Sequence, residues 1–330
     1  MEIDAPHDTL RVTRASELAS LFRKGDLIVV NDAATLPASL TGRTPDGEPV
    51  ELRLLGMRAE SDDALAFSAA LLGRGDFRTR TEDRPPPPVV PATARIVGGD
   101  LEIVIEAVSP TSPRLVDVRI TTTKAQSSAA DVWAALYRIA APVQYSYVRE
   151  PLDLWDVQNT YASRPWAVEM PSAGRALTAD VMRALEARGV GIAYLTHAAG
   201  LSSTGDPTID ARLPLPEHYE LPAATARAIE TTHRAGGRVI AIGTSVVRAL
   251  EGSRLVSGRG VTDLHLGPQT RRAVVDAVLT GVHETDTSHF ALLEAFAGRA
   301  TLERALELGE REGFLGHEFG DLCLVWGIPR

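Results

Sequence analysis

Cysteine is almost missing from this chain of 330 residues: Cys323 stands alone, inside the apolar run LCLVW. One thiol excludes an intrachain disulfide framework and a cysteine-based zinc site, and its setting predicts a small buried hydrophobe in a strand. Long apolar runs are missing too. None approaches the roughly 20 residues that a membrane helix needs. Excess positive charge is absent: 34 Lys and Arg face 43 Asp and Glu, a formal net charge of -9. That balance disfavours nonspecific binding of polyanions. The opening MEIDAPHDTL is acidic and polar, unlike a signal peptide, so a cytoplasmic location is expected. Familiar site motifs are lacking as well. No G-x-G-x-x-G follows a strand, and there is no Walker A motif, no G-x-S-x-G and no H-E-x-x-H. His283 and His289 are six residues apart, which on one helix sets them on different faces, so no metal site is expected.

What remains is 44% hydrophobic, enough for one large or two moderate domains. Residues 16–24 read as a short helix capped by Ser16, and Leu27–Val30 as a continuous apolar strand ending at Asn31-Asp32. Residues 48–120 alternate in short segments split by Gly, Pro and Asp, among them Glu48–Gly56, Ala94–Ser109 and Arg114–Thr121. That pattern predicts hairpins of a small antiparallel unit. The proline run Arg84–Pro91 predicts a loop wrapping it. From Ala129 a helix runs up to Pro142, and a Tyr- and Pro-rich crossing segment follows. The rest alternates strand and helix, the mark of an α/β layer with mostly parallel strands. The pattern alone permits, without requiring, a discontinuous α/β domain, residues 1–58 and 145–330, with the small antiparallel β unit inserted as a barrel-like domain at 59–144.

The chemistry-bearing residues gather where strands should end. The strand within Ile240–Glu251 stops at Gly243, Thr244 and Ser245, where a helix begins. Its free N–H groups can meet a ligand, and Thr244 and Ser245 can cap the helix or bind that ligand. Arg248 and Glu251 follow within two turns, and Arg248 suits a carboxylate. His197 and Gly200 lie past another strand, where a histidine suits acid–base work or contact with a base.

Together, and in this order, the motifs MPSAG (170–174), THAAGLSST (196–204), IAIGTSVVRALE (240–251), TDLHLGP (262–268), VVDAVLTGVHETDTSHFALLEAFAG (274–298) and FGD (319–321), with GDLIVVNDAATLPASLTG (25–42), resemble the S-adenosylmethionine:tRNA ribosyltransferase-isomerases of queuosine biosynthesis. The resemblance implies an α/β domain interrupted by a β-barrel. It implies transfer of the ribosyl part of S-adenosylmethionine to 7-aminomethyl-7-deazaguanine in tRNA, giving epoxyqueuosine. S-adenosylmethionine is then a substrate and no prosthetic group is needed. The partners implied are that nucleoside and a tRNA anticodon stem-loop. As catalytic residues it points to His197, Glu217, His283 and Asp263. As substrate-binding residues it points to Asn31, Asp32, Ser172, Gly174, Gly200, Gly243, Thr244, Ser245, Arg248, Glu251, Thr280, Ser288 and Asp321. Among the altered family positions, Ala176 and Leu215 stand for histidines, Ser39 for arginine, Gly281 for asparagine and Ser172 for threonine. They leave open a divergent relative that acts on a small-molecule acceptor, or one that binds without turnover.

Overall fold

The computed structural model describes residues 1–91, 95–124 and 126–329. Its backbone is a nine-stranded sheet in the order Gly258–Thr262, Glu217–Leu221, Gly191–His197, Leu27–Asn31, Val239–Ile242, Ala277–Gly281, Leu322–Trp326, Glu2–Asp4, Thr9–Arg11. The four strands from Gly191–His197 to Ala277–Gly281 run parallel. Their flanking neighbours, Glu217–Leu221 and Leu322–Trp326, run antiparallel to them. The Leu27–Asn31 strand therefore sits between strands that follow it by well over a hundred residues, so the α/β layer is discontinuous in sequence.

A strand's period of two explains the continuous apolar runs. Leu27 and Val29 join the core on one face, with Val239, Ala241 and Val246. Ile28 and Val30 join the core on the other, with Ile240, Ile242 and Leu185. Helices Ala223–Arg234 and Thr244–Ser253 cover the first face, and helix Ala179–Ala187 covers the second. Thr178 caps the last of these by accepting from Val181 N–H.

The second unit is a closed antiparallel barrel in the order Leu115–Thr122, Leu65–Leu72, Pro49–Glu60, Ser39–Arg43, Arg95–Gly98, Leu101–Val108. Ala94, the first residue of one expected hairpin segment, lies outside the described residues. Helix Ala129–Ile139 begins with a Ser128/Asp131 capping box and packs Val132, Ala135 and Leu136 into the barrel's core. The barrel starts at Ser39, and the boundary expected after residue 58 falls inside the Pro49–Glu60 strand. That strand belongs wholly to the barrel because its long pairing with Leu65–Leu72 runs from Glu51 to Glu60.

One local expectation fails. Residues 16–24 do not form an α-helix capped by Ser16. Ala15–Leu21 is a 3-10 helix preceded by Arg14, with no side-chain cap. The chain becomes extended at Phe22, which is 1% exposed, so the segment ends early to seat that ring in the core.

Candidate active site

Parallel strands end on one edge of a sheet, and here that edge collects most of the singled-out residues. Asn31, His197 and Gly281 close three central strands, and Gly243 follows the fourth. Glu217 pairs with Thr262 in the antiparallel strands beside His197, which brings Glu217 and Asp263 to the same edge. Leu322 pairs with Gly281, which brings Asp321 there too.

His197 is the centre of this group. The Asn31 carboxamide brackets its backbone: Nδ2 donates to His197 O and Oδ1 accepts from His197 N–H, both at 2.9 Å. The imidazole is 0% exposed, and neither ring nitrogen has a hydrogen-bond partner. Its Nε2 lies 3.4 Å from Glu217 Oε2, an ion-pair distance without hydrogen-bond alignment. Burial pushes the imidazole below its ordinary range, against the pull of the Glu217 carboxylate. Glu217 Oε1 accepts from Gly200 N–H at 2.8 Å, while Oε2 accepts from Arg248. Arg248 is 5% exposed and also donates from Nε to Leu264 O at 3.0 Å. It is therefore a buried ion pair rather than a surface one, and its charge is used to hold Glu217. His218 is exposed, as expected for the neighbour of an inward residue on a strand.

Other singled-out residues sort by what they touch. Gly243 has φ of +93°, which lets the strand turn into helix Thr244–Ser253, and no side chain caps that helix. Thr244 and Ser245 therefore do not serve as its cap. Asp32 accepts from Thr196 Oγ1 at 2.6 Å. Thr280 Oγ1 lies 2.7 Å from His283 Nε2. His283 stacks on His289, with centroids 4.7 Å apart and planes at 14°. The expectation of different helix faces fails here because His283 precedes helix Ser288–Leu293, so a loop brings the rings together. Burial, then the neighbouring His289, brings His283 down to about 3. Among the described residues no group of three potential metal ligands forms.

Glu251, Ser288, Asp321 and Gly174 stand apart from that centre. Both Glu251 oxygens are spent on backbone N–H groups of Ala273, Val274 and Val275 at 2.8–3.0 Å, so it clamps a loop. Ser288 is exposed at the start of its helix, while Thr287 does the capping. Asp321 accepts from Leu315 N–H at 2.9 Å and closes its own loop. Gly174 is tightly packed: a Cβ there would meet Tyr161 Oη at 2.1 Å and Asn159 Nδ2 at 2.6 Å. Ser172 and Asp321 line a cavity of about 220 Å³ with Arg175, Ala176 and Leu279. It is smaller than the roughly 300–1,000 Å³ usual for ligand sites and includes neither His197 nor Glu217. Ser39, where the resemblance implies an arginine, donates to Glu51 Oε1 at 2.9 Å inside the barrel.

Sequence reasoning missed a second group beside the edge. Glu169, just before MPSAG, accepts from Ser202 N–H at 3.2 Å. Burial, then Glu318, raises its carboxyl to about 7. Glu318 in turn accepts from the Tyr147 hydroxyl. Tyr147 stacks on His317 at 4.2 Å and on Tyr145 at 5.6 Å, and Phe319 meets Tyr145 edge-on. A lone acid between apolar Val168 and Met170 was the available signal.

A family model described as queuosine biosynthesis protein matches residues 1–325. The S-adenosylmethionine:tRNA ribosyltransferase-isomerase of Thermus thermophilus is 30% identical over 324 residues, 94% of this chain and 87% of that protein. The protein of that name from Sorangium cellulosum is 32% identical, with 94% and 87% covered. A crystal structure of S-adenosylmethionine tRNA ribosyltransferase from Thermotoga maritima covers 98% of this chain and 90% of its own, with a TM-score of 0.49 and 20% identity.

Proposed function

We propose, from the premise that this chain belongs to the queuosine biosynthesis protein family, that it moves the ribosyl part of S-adenosylmethionine onto the aminomethyl group of 7-aminomethyl-7-deazaguanine in a tRNA anticodon, giving epoxyqueuosine. Adenine and methionine leave. The observation that carries this reading is His197: a fully buried imidazole without a hydrogen-bond partner, at the strand-end edge where α/β sheets bind ligands. An unpaired buried polar group costs stability, so its retention fits a partner brought by substrate.

The chemistry suits the groups assembled there. A sulfonium acidifies its neighbouring C–H, and an imidazole kept neutral by burial is competent to take that proton. Glu217 lies against Nε2, which leaves Nδ1 for substrate, and its negative charge stabilises the imidazolium that forms. Asp263, exposed beside the buried pair, adds negative charge toward a cationic substrate. His283, near 3, stays neutral at physiological pH and acts as a hydrogen-bonding group beside Thr280. The uncapped first turn of helix Thr244–Ser253 offers N–H groups to the methionine carboxylate, since Arg248 is engaged by Glu217. S-adenosylmethionine is consumed as a substrate, and the reading includes no prosthetic group.

Incubation with S-adenosylmethionine and tRNA bearing the aminomethyl nucleoside, followed by nucleoside mass spectrometry, tests the proposal. Epoxyqueuosine is expected. Adenine release that requires a small amine while tRNA stays inert would replace the acceptor. Binding of S-adenosylmethionine without adenine release would reduce the chain to a binding module.

A further inference from the structure

The loop after His197 touches both halves of the molecule. Its Gly200 N–H donates to Glu217 Oε1 at 2.8 Å, and its Ser202 N–H donates to Glu169 Oε2 at 3.2 Å. One short stretch thus holds two carboxylates, one at the edge and one beside it. Between those residues Leu201 is 5% exposed and packs in the barrel's apolar core. Further on, Thr204 O accepts from Arg114 Nη1 at 2.9 Å. Arg114 is a barrel residue, 6% exposed, that also donates from Nη2 to Arg84 O at 2.5 Å. Asp206 accepts from the Ser112 hydroxyl. Gly205, with φ of +69°, would bring a Cβ within 2.3 Å of Thr81 O and 2.5 Å of Arg114 Nη1. Only glycine lets the loop lie this close to the barrel. Asp210 gathers the same turn, accepting from Thr204 N–H at 2.8 Å and Gly205 N–H at 3.1 Å.

We infer that Arg114 is a positioning residue of the proposed site: through the Thr204 carbonyl it fixes the loop whose N–H groups hold Glu217 and Glu169. The barrel then aligns both carboxylates while supplying no hydrogen bond to either among the described residues. This rests on the functional reading above. It adds that the inserted unit, which brings none of the singled-out catalytic residues, sets the geometry of the acids at the edge.

The test uses the full chain and the variants Arg114→Met and Arg114→Lys. Hydrogen exchange over residues 199–205 and calorimetric affinity for S-adenosylmethionine are the readouts. A buried hydrogen bond from a charged donor predicts that Arg114→Met speeds exchange in that loop, and weakens affinity, by about 10–100-fold, with part of both recovered in Arg114→Lys. Wild-type protection and affinity in folded Arg114→Met would overturn the inference. So would faster exchange spread evenly over barrel and loop with affinity unchanged, which marks a purely structural arginine. Should Arg114→Met not fold, Ser112→Ala must give the same loop-centred pattern at smaller size, and wild-type behaviour there would also overturn it. If wild-type protein itself takes no S-adenosylmethionine, the functional reading fails. The inference is then decided by whether loop exchange and the NMR-observed titration of Glu217 and Glu169 shift together in Arg114→Met.

Discussion

Two buried polar clusters, one inside the barrel and one at the sheet edge, use the same residue types in opposite ways. In the barrel, Glu51 is 6% exposed and receives Arg53 Nε at 2.6 Å, Arg84 Nη1 at 2.5 Å and the Ser39 hydroxyl at 2.9 Å. Burial alone would raise its carboxyl, but the Arg53 and Arg84 guanidiniums hold it below the usual range. At the edge, Glu169 has a second carboxylate, Glu318, among its neighbours and rises to about 7. His197 there has no hydrogen bond on its ring at all. A charge that is fully paired stiffens a fold. A group left unpaired at comparable burial marks where something else must bind. Arg84 Nε in the barrel also lacks a partner, so the contrast lies in the carboxylate being fully engaged there while the imidazole at the edge is wholly unengaged.

The contrast breaks most visibly if Glu51 is removed. Glu51→Ala strands two buried guanidiniums and should lose about 3–5 kcal/mol of stability in denaturant unfolding. A loss below about 1 kcal/mol would mean that solvent, or the Asp76 carbonyl that lies 3.4 Å from Arg84 Nη1, rescues the arginines and that the barrel cluster is less closed than its geometry. The edge should behave inversely. His197→Leu removes an unpaired buried imidazole, so unfolding should show stability unchanged or raised by about 1–2 kcal/mol. Adenine release should nevertheless fall about 10²–10⁴-fold. A destabilised His197→Leu protein with normal turnover would assign this histidine to the scaffold.

The two acids should also give opposite pH dependences. Glu169 is raised in the folded state, so the native protein binds its proton more tightly than the unfolded chain. Stability should therefore fall as pH rises from the ordinary carboxylate range toward about 7, by roughly 1–3 kcal/mol in total. Glu169→Gln should flatten that decline in unfolding midpoints taken from pH 5 to 8; an unaltered slope would place the titration elsewhere. Glu51 is lowered, so its contribution is present above the ordinary carboxylate range and is lost only as pH falls through its depressed value. The smallest effect tests how redundant the barrel pairing is. Ser39→Ala removes one of three donors and should cost about 0.5–1.5 kcal/mol. A cost as large as that of Glu51→Ala would show that the hydroxyl, not the arginines, organises the carboxylate.

Much of the fold was legible because buried parallel strands leave continuous apolar runs, as in Leu27–Val30 and Val239–Ile242. The insertion came from the family resemblance, since no local pattern tells that Leu27–Asn31 pairs with Gly191–His197. The Glu217–Leu221 strand was not marked in the sequence because prolines flank a mixed polar stretch that tertiary pairing makes extended. For the candidate site, the motifs led to the strand-end edge where His197, Glu217 and Arg248 meet. They could not distinguish a carboxylate awaiting a ligand from one already spent on backbone, as in Glu251. That distinction depends on which N–H groups a distant loop presents. Glu169 escaped notice for the same reason: its environment is built by the Ser202 and Glu318 loops, far away in sequence.

The position of Leu27–Asn31 has a consequence for synthesis on the ribosome. Both of its partners, Gly191–His197 and Val239–Ile242, are made later. The first partner begins about 160 residues downstream, which at about 5–20 residues per second is roughly 10–30 s of translation. The six barrel strands all emerge within that interval. The nascent chain therefore carries a closed barrel behind an apolar ribbon with two bare edges, the kind of segment that pairs with a neighbouring copy or recruits a chaperone. For this protein, expression at low temperature or with a holdase should raise the soluble yield of the unaltered chain.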